Sequence, residues 1–581
     1  MIRYLTPALA LLMVACAAED DPATTATDAA TPDSATARSD AATMSDVGPD
    51  GIALPAIEEA GLREHLSVLA SDEFEGRAPA TKGGKKTREY LIAEMKRIGL
   101  EPANGDSYEQ PVGLVEQTMI PQQSSLSLTK PDGSTWPLTY RQDAVYWSKQ
   151  VKQDISIEDS ELVFVGFGVV APEYGWNDYE GLDVEGKTVV MLVNDPGFYL
   201  EDELFNGRSM TYYGRWTYKY EEAARQGAAA ALVIHETDPA AYGWGVVEGS
   251  WSGPQLDLER PDEGASRIPL EGWITKDVAE AIFEDAGLDY AEAKQAALSP
   301  DFTPMPLTGF SATATMKNAI NRSESANVAG KLVGTKHPDD YVLYMAHWDH
   351  LGKTFAAVGG DTKDTIHNGA VDNATGTAGL LGIAESFANA AVPPERSILF
   401  LAVTAEESGL LGSAYFGETP LVPFKNIVGG INMDAVAPSG PAKDLIVVGY
   451  GASELEDILK TVAEADGKYL RPDASPEKGY FYRSDHISLA KKGVPMLYLD
   501  VGIDKIEGGE EAGRAWDEEY TANRYHKPAD EYDESWDMRG LVETFSIMRD
   551  VGKTLAYSED WPTWYDGNEF RALRDEQMAD R

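Results

Sequence analysis

Five positions in this 581-residue chain carry side chains of the kinds that can bind divalent metals: His347, Asp372, Glu407, Asp434 and His526. The apolar run Val342 to Ala346 ends abruptly in His347, Trp348, Asp349 and His350. In open α/β sheets, ligands bind at the carboxyl ends of strands. An imidazole is a common metal ligand, and a neighbouring carboxylate such as Asp349 can accept its other N–H and fix its tautomer. From this stretch alone, a metal site and a strand leading into a polar turn are equally good readings. Asp372 lies among small residues that open a helix, which places its carboxylate near a helix N-terminus. Glu406 and Glu407 come straight after the apolar run Ile398 to Val403. Like charges repel, and buried carboxylates do not stay ionised cheaply without a cation. Asp434 follows another apolar run, and Tyr525, His526 and Asp530 share a loop near the C-terminus. Singly, a strand-end Asp is ordinarily a helix cap and a lone His is structural. Together, two imidazoles and three carboxylates make the mixed nitrogen and oxygen set typical of zinc. One bridging carboxylate, plus one His and one carboxylate per metal, gives two sites of the kind that generate hydroxide from water. Glu406 is then left over as a free base.

These side chains need strands to carry them. Strands are expected over 326–333, 342–345, 397–402, 427–432, 444–448 and 495–499. Helices are expected between them, over 374–388, 409–416, 455–465, 485–492 and 538–557. Such alternation implies an α/β fold, a mostly parallel sheet with helices on both faces. Helical spacing also marks 56–69, and 87–98 reads as an amphipathic helix closed by Gly99. Between these halves, residues 155–306 have strands and helices of their own and read as an inserted α+β domain. The main domain is therefore discontinuous, 54–154 and 307–558, and 559–581 reads as a peripheral tail.

The length calls for more than one core. A hydrophobic content of 43% marks a globular chain. With 96 acidic against 49 basic residues, the formal charge is −47, which excludes nucleic acid as a partner because phosphate binding needs a basic face. The sole cysteine, Cys16, rules out an internal disulfide. Residues 1–15 hold a lone Arg3 and the apolar run Ala8 to Ala15, a secretory signal too short to span a bilayer. Met13-Val14-Ala15-Cys16 resembles a bacterial lipobox, although Met13 stands where Leu is usual. The expectation is export to the cell envelope, with a lipid on Cys16 anchoring the chain to a membrane; Ala17 rather than Asp after Cys16 resembles the sorting signal for the outer one, and the alternative is a secreted protein. Residues 16–53, rich in Ala, Thr, Asp and Pro, read as a disordered tether.

The motifs AHWDHLG, GAVDNATG, TAEESGLLGS, INMDAV and YHKPADEYD, taken with the early segment from His65 to Leu100, resemble the co-catalytic di-zinc aminopeptidases of metallopeptidase family 28. The stretch Val163 to Gly197 is similar to the protease-associated domain inserted in some members. The resemblance runs from about Leu54 to Tyr557; Ala78 to Thr81 departs from the family's usual Gly-Thr pair. It implies two zinc ions and peptide substrates. It also implies that His347 and Asp434 bind one zinc, Glu407 and His526 the other, and that Asp372 bridges them. Asp349 would orient His347, Glu406 would be the general base, and Tyr525 would donate to the oxyanion.

Ser484-Asp485-His486 matches a motif of the same family, with helix capping as the equal alternative. His350 and His367 lie near the ligands in sequence, but the implied set is complete without them. His235 reads as a turn residue. No GxSxG is present, which disfavours a serine nucleophile. The competing readings are a dipeptidase or carboxypeptidase on the same scaffold, and a silent binding protein. Carboxylate recognition favours a bidentate Arg, and none can be placed from sequence; Glu406 argues against a silent protein.

Overall fold

The computed structural model describes residues 51–200, 204–353, 364–579 and 581. The expected signal, the Cys16 anchor and most of the tether lie outside them.

The strand His337–His347 is central to the first sheet. It pairs in parallel with Arg396–Val403 on one side and Ile427–Asn432 on the other, and Met496–Val501 extends the parallel run. Beyond Arg396–Val403 the pairing turns antiparallel, through the C-terminal half of Met305–Leu332 and then Glu109–Met119. The fold is thus α/β with a parallel centre and an antiparallel flank. Alternation along the central strand explains its two-sided burial. Val342, Tyr344 and Ala346 face a core shared with helices Gly376–Ala388 and Arg539–Ala556. Leu343 and Met345 face a second core holding Phe416 and Leu489 from helices Leu411–Glu418 and His486–Ala490.

Helix Lys82–Ile98 begins earlier than its amphipathic pattern suggests. Thr81 caps it by accepting from the Gly84 amide at 3.2 Å, and left-handed Gly99 ends it. Its first turn packs beside Trp348, where a Cβ on Gly84 would come within 2.4 Å of the Ala78 carbonyl oxygen.

A second sheet holds the N-terminal half of Met305–Leu332, with Asp154–Phe164, Thr188–Leu192, Ala230–His235 and Leu270–Thr275. It also takes Ser125–Thr129 and Ala144–Trp147, so it starts ahead of the residue 155 expected. Their partners, Ser311–Thr315 and Glu271–Ile274, lie far along the chain, beyond the reach of a local pattern. Apolar cores cover both faces of this sheet.

Residues 559–581 are not a peripheral tail. Trp564 is fully buried and donates to the Gly493 carbonyl at 3.1 Å, and Arg574 in helix Arg571–Ala579 donates to the carbonyls of Ile427 and Val428 at 3.0 Å each. Scattered aromatics among polar residues are enough to dock a segment when their N–H groups find carbonyls. Helix Gly509–Asn523 was not foreseen, because it is strongly polar and buries only Gly513 and Tyr520. Among the described residues, no helix is long and apolar enough to cross a membrane.

Candidate metal centre

Parallel strands deliver the site at one edge. His347 ends the central strand; Glu406 and Glu407 follow Val403, and Asp434 follows Asn432. Asp372 sits in the turn Ala370–Thr375 that leads into helix Gly376–Ala388. His526 comes from the loop after helix Gly509–Asn523.

The five expected ligands converge. His347 Nε2 lies 3.0 Å from Asp434 Oδ1 and 3.3 Å from Asp372 Oδ1. His526 Nε2 lies 3.1 Å from Asp372 Oδ2 and 3.1 Å from Glu407 Oε2. The two oxygens of Asp372 therefore turn toward different imidazoles. Ligand atoms about 2.0–2.1 Å from one tetrahedral ion stand roughly 3.3 Å apart, so these spacings fit two neighbouring ions that share Asp372.

The carboxylates polarise the cluster. Burial lowers the His347 imidazole, but Asp434, Glu406 and Asp372 outweigh it and hold the pKa well above the ordinary histidine range. Burial likewise opposes Asp372 and Glu407, yet the imidazoles hold Asp372 well below the usual carboxylate range and Glu407 at about 2. Asp372 and Glu407 overcome burial at His526 and raise it to about 10. Glu406 goes the other way: burial, with Asp434 and Glu407 beside it, pushes it well above its usual value. The two adjacent glutamates are thus electrostatically distinct, one held as an anion and one holding a proton more readily. In this donor set, cations are what four clustered carboxylates require.

Asp349 is placed differently from the expectation. Its carboxylate is 3.9 Å from His347 Nδ1, whereas its main-chain oxygen is 3.2 Å away. The carboxylate accepts instead from the Glu406 amide at 3.1 Å, and burial pushes it up to about 7. Tyr525 stacks on His526 with ring centres 3.9 Å apart and is 43% exposed. Burial and the ligand carboxylates raise its phenol above the ordinary tyrosine range.

Four residues given no role in the sequence support the centre. His350 Nδ1 is 2.5 Å from Glu407 Oε1, and His350, Asp372 and Glu407 form a second group able to hold an ion. Asp530 accepts from the amides of Val371 and Asp372 at 3.1 Å each, which fixes the loop that carries Asp372. Asn373 ties that loop to the next strand, donating to the Met433 carbonyl at 2.9 Å while accepting from Ala435 N at 3.1 Å. Arg77 is buried and spends its guanidinium on main-chain carbonyls: Trp348 at 3.0 Å, Leu69 at 2.8 Å, Asn368 at 2.5 Å and Gly369 at 2.8 Å. The position of Asp530 in the same loop as His526 was a legible signal; nothing in the local pattern marked Arg77.

Ser484 accepts from Asn432 Nδ2 at 2.7 Å, while neither Ser484 nor Asp485 caps the following helix by its side chain. Asp485 is buried beside the cluster and pushed up to about 7, and His486 is buried and lowered to about 3. His367 pairs in a short strand outside the cluster, and His235 contacts the Tyr242 carbonyl at 2.9 Å in the second sheet's region.

An α/β sheet whose carboxyl edge gathers imidazoles and carboxylates in this way defines a candidate metal-binding protein. Residues 327–551 match the sequence model of Peptidase family M28. A probable zinc metalloprotease of Pyrenophora teres f. teres is 35% identical over 112 residues, 19% of this chain and 23% of the relative. The mouse aminopeptidase NAALADL1 is 33% identical over 145 residues, 24% of this chain and 17% of the relative. The matched stretch thus spans less than a quarter of these relatives. Among solved structures, an aminopeptidase from Aneurinibacillus sp. strain AM-1 is 18% identical with a TM-score of 0.47, covering 87% of this chain and 96% of that one. A zinc aminopeptidase from Bacillus subtilis is 18% identical with a TM-score of 0.40, covering 89% and 100%.

Proposed function

We propose that the chain is a zinc-dependent exopeptidase that removes N-terminal residues from peptides. The observation that carries this reading is Asp372, whose two oxygens serve two imidazoles while Glu406 stays outside both groups. One zinc would be held by His347, Asp434 and Asp372, the other by His526, Glu407 and Asp372. Bound there, the ions would polarise the scissile carbonyl and lower the pKa of water. Glu406 takes the proton of the attacking water on its carboxylate and returns it to the leaving amine nitrogen. Tyr525 donates its O–H to the oxygen that gains charge. Asp349 holds the Glu406 main chain in place through its amide, and His350 steadies Glu407.

The proposal extends to the rest of the chain. The block around the second sheet acts as a protease-associated lid that shapes the substrate site, and Cys16 anchors the exported protein by a lipid. A panel of aminoacyl chromogenic substrates, assayed with and without a chelator alongside metal analysis, tests the central claim. About two zinc per chain and chelator-sensitive release of N-terminal residues are expected. Less than one equivalent of zinc in loaded protein would defeat the two-metal reading.

A further inference from the structure

Two arginines meet where the second sheet's region touches the segment leading into Ser484. Met210 N donates to the Pro476 carbonyl at 3.2 Å, and the rings of Tyr212 and Tyr482 lie 6.0 Å apart, so the two regions are in contact there. Arg215 comes from one side, just ahead of helix Trp216–Arg225, and Arg483 from the other. Arg215 Nε and Arg483 Nε and Nη2 are buried and make no hydrogen bond. Among the described residues, neither guanidinium forms an ion pair.

Arg225, Arg260 and Arg471 each have a carboxylate, and Arg77, Arg396 and Arg574, which lack one, donate to main-chain carbonyls; among the described residues Arg215 and Arg483 have neither. Nearby carboxylates are committed elsewhere. Glu221 pairs with Lys491 at 3.0 Å, and Glu569 accepts from the Tyr482 hydroxyl at 2.8 Å; Asp473 feels the charge of Arg483 but makes no ion pair with it and accepts from Ser475 N at 2.9 Å. Burial is the main cause lowering Arg215 to about 10, and the charge of Arg483 is the next. An anion joining two neighbouring like charges would relieve their repulsion and take up their unused donors.

The surroundings suit a carboxylate. The Arg483 guanidinium carbon lies 5.2 Å from the Tyr480 ring centre and 5.9 Å from that of Tyr242. A guanidinium framed by aromatic faces keeps its in-plane N–H fork for a bidentate acceptor. The chain also links the place to the metal centre. Arg483 precedes Ser484, whose hydroxyl accepts from Asn432, two residues ahead of Asp434.

We propose that Arg215 and Arg483 form a subsite for a carboxylate of the peptide substrate, supplied by its free C-terminus or by an acidic side chain. The proposal rests on the exopeptidase reading and deepens it.

The test uses the zinc-loaded full chain and two substrate pairs: Ala-Ala as free acid against Ala-Ala amide, and Ala-Glu amide against Ala-Gln amide. The carboxylate member of one pair should have a kcat/KM about ten- to a hundredfold higher, carried mainly by KM, as expected for a charge-assisted hydrogen bond. Discrimination in the first pair assigns the subsite to the C-terminus, and in the second to a side chain. Arg215→Gln and Arg483→Gln should bring that ratio toward one at unchanged zinc content, while Arg483→Lys should keep part of it. No discrimination by the wild type, or discrimination that survives both Gln variants, overturns the subsite. Should Arg483→Gln not fold, Arg215→Gln decides. If the loaded wild type cleaves none of the four, the exopeptidase reading fails by itself. Calorimetric titration with succinate then decides the subsite: weaker binding by Arg215→Gln supports it, and equal binding overturns it.

Discussion

Replacing Arg77 by Met should damage the metal centre from a distance. The guanidinium serves the Leu69 carbonyl at the end of helix Glu59–Leu69 and those of Trp348, Asn368 and Gly369, on segments that lead out of His347 and into Asp372. Four hydrogen bonds from a charged donor, at ~1.5–3 kcal/mol each, give a gross loss of roughly 6–12 kcal/mol. Removing a buried charge returns several kcal/mol of desolvation, so the net cost should be about 3–5 kcal/mol. Burial already lowers this guanidinium to about 10, a sign of that opposing term. Lys has one nitrogen and no fork, so Arg77→Lys should be nearly as damaging as Arg77→Met. Denaturant unfolding of the metal-free protein would measure the stability loss, and zinc titration the weakened affinity. An unchanged unfolding midpoint with unchanged zinc affinity in Arg77→Met would refute the reasoning; full rescue by Lys would show that charge matters and the fork does not.

Glu406→Gln keeps shape but cannot take a proton; zinc content should stay near wild type while kcat falls at least about a hundredfold, and near-normal turnover with both ions bound would place the base elsewhere. Asp372→Ala should lose both zinc ions, whereas His347→Ala or His526→Ala should lose chiefly one, as elemental analysis would reveal. Burial holds His486 at about 3 in the fold, so the unfolded chain takes up the proton first as pH drops below about 6.5. Its stabilising contribution is therefore complete above pH 6.5 and declines toward pH 3, by about 2 kcal/mol at pH 5; in urea melts, His486→Gln should have a shallower acid slope by that amount. Cys16→Ser should release the protein from membranes in a bacterial host, and unchanged partition would refute lipidation.

Much of the centre was legible because its residues follow buried runs. Strands over 342–345, 397–402 and 427–432 were readable from apolar patterns, one or two residues short of the ends at His347 and Val403, and a sheet with parallel pairing must bring such ends to one edge. What escaped was the part fixed by distant contacts. Arg77 reaches carbonyls nearly three hundred residues away, and Arg215 meets Arg483 across two regions with no shared local signal. The start of the second sheet was misplaced for the same reason, since Ser125–Thr129 finds its partner only at Ser311–Thr315. Polar helix Gly509–Asn523 shows the other limit: with two buried residues, it has too little apolar periodicity to announce itself.

The strand Met305–Leu332 runs through both sheets, and this sets an order of assembly. Glu109 pairs with Val328, more than two hundred residues later, so the antiparallel flank of the first sheet, which Gln255–Leu258 extends beyond Glu109–Met119, cannot join the parallel centre until that strand has been made. Closing an unstructured loop of this length costs about 5 kcal/mol of chain entropy. If the second sheet forms first, it gathers the intervening chain and brings Glu109–Met119 close to its partner, which removes most of that cost. During synthesis, the N-terminal segment therefore waits with an unpaired edge while the middle of the chain folds ahead of it. The region that frames Arg215 then serves as the scaffold on which the metal-bearing sheet is completed.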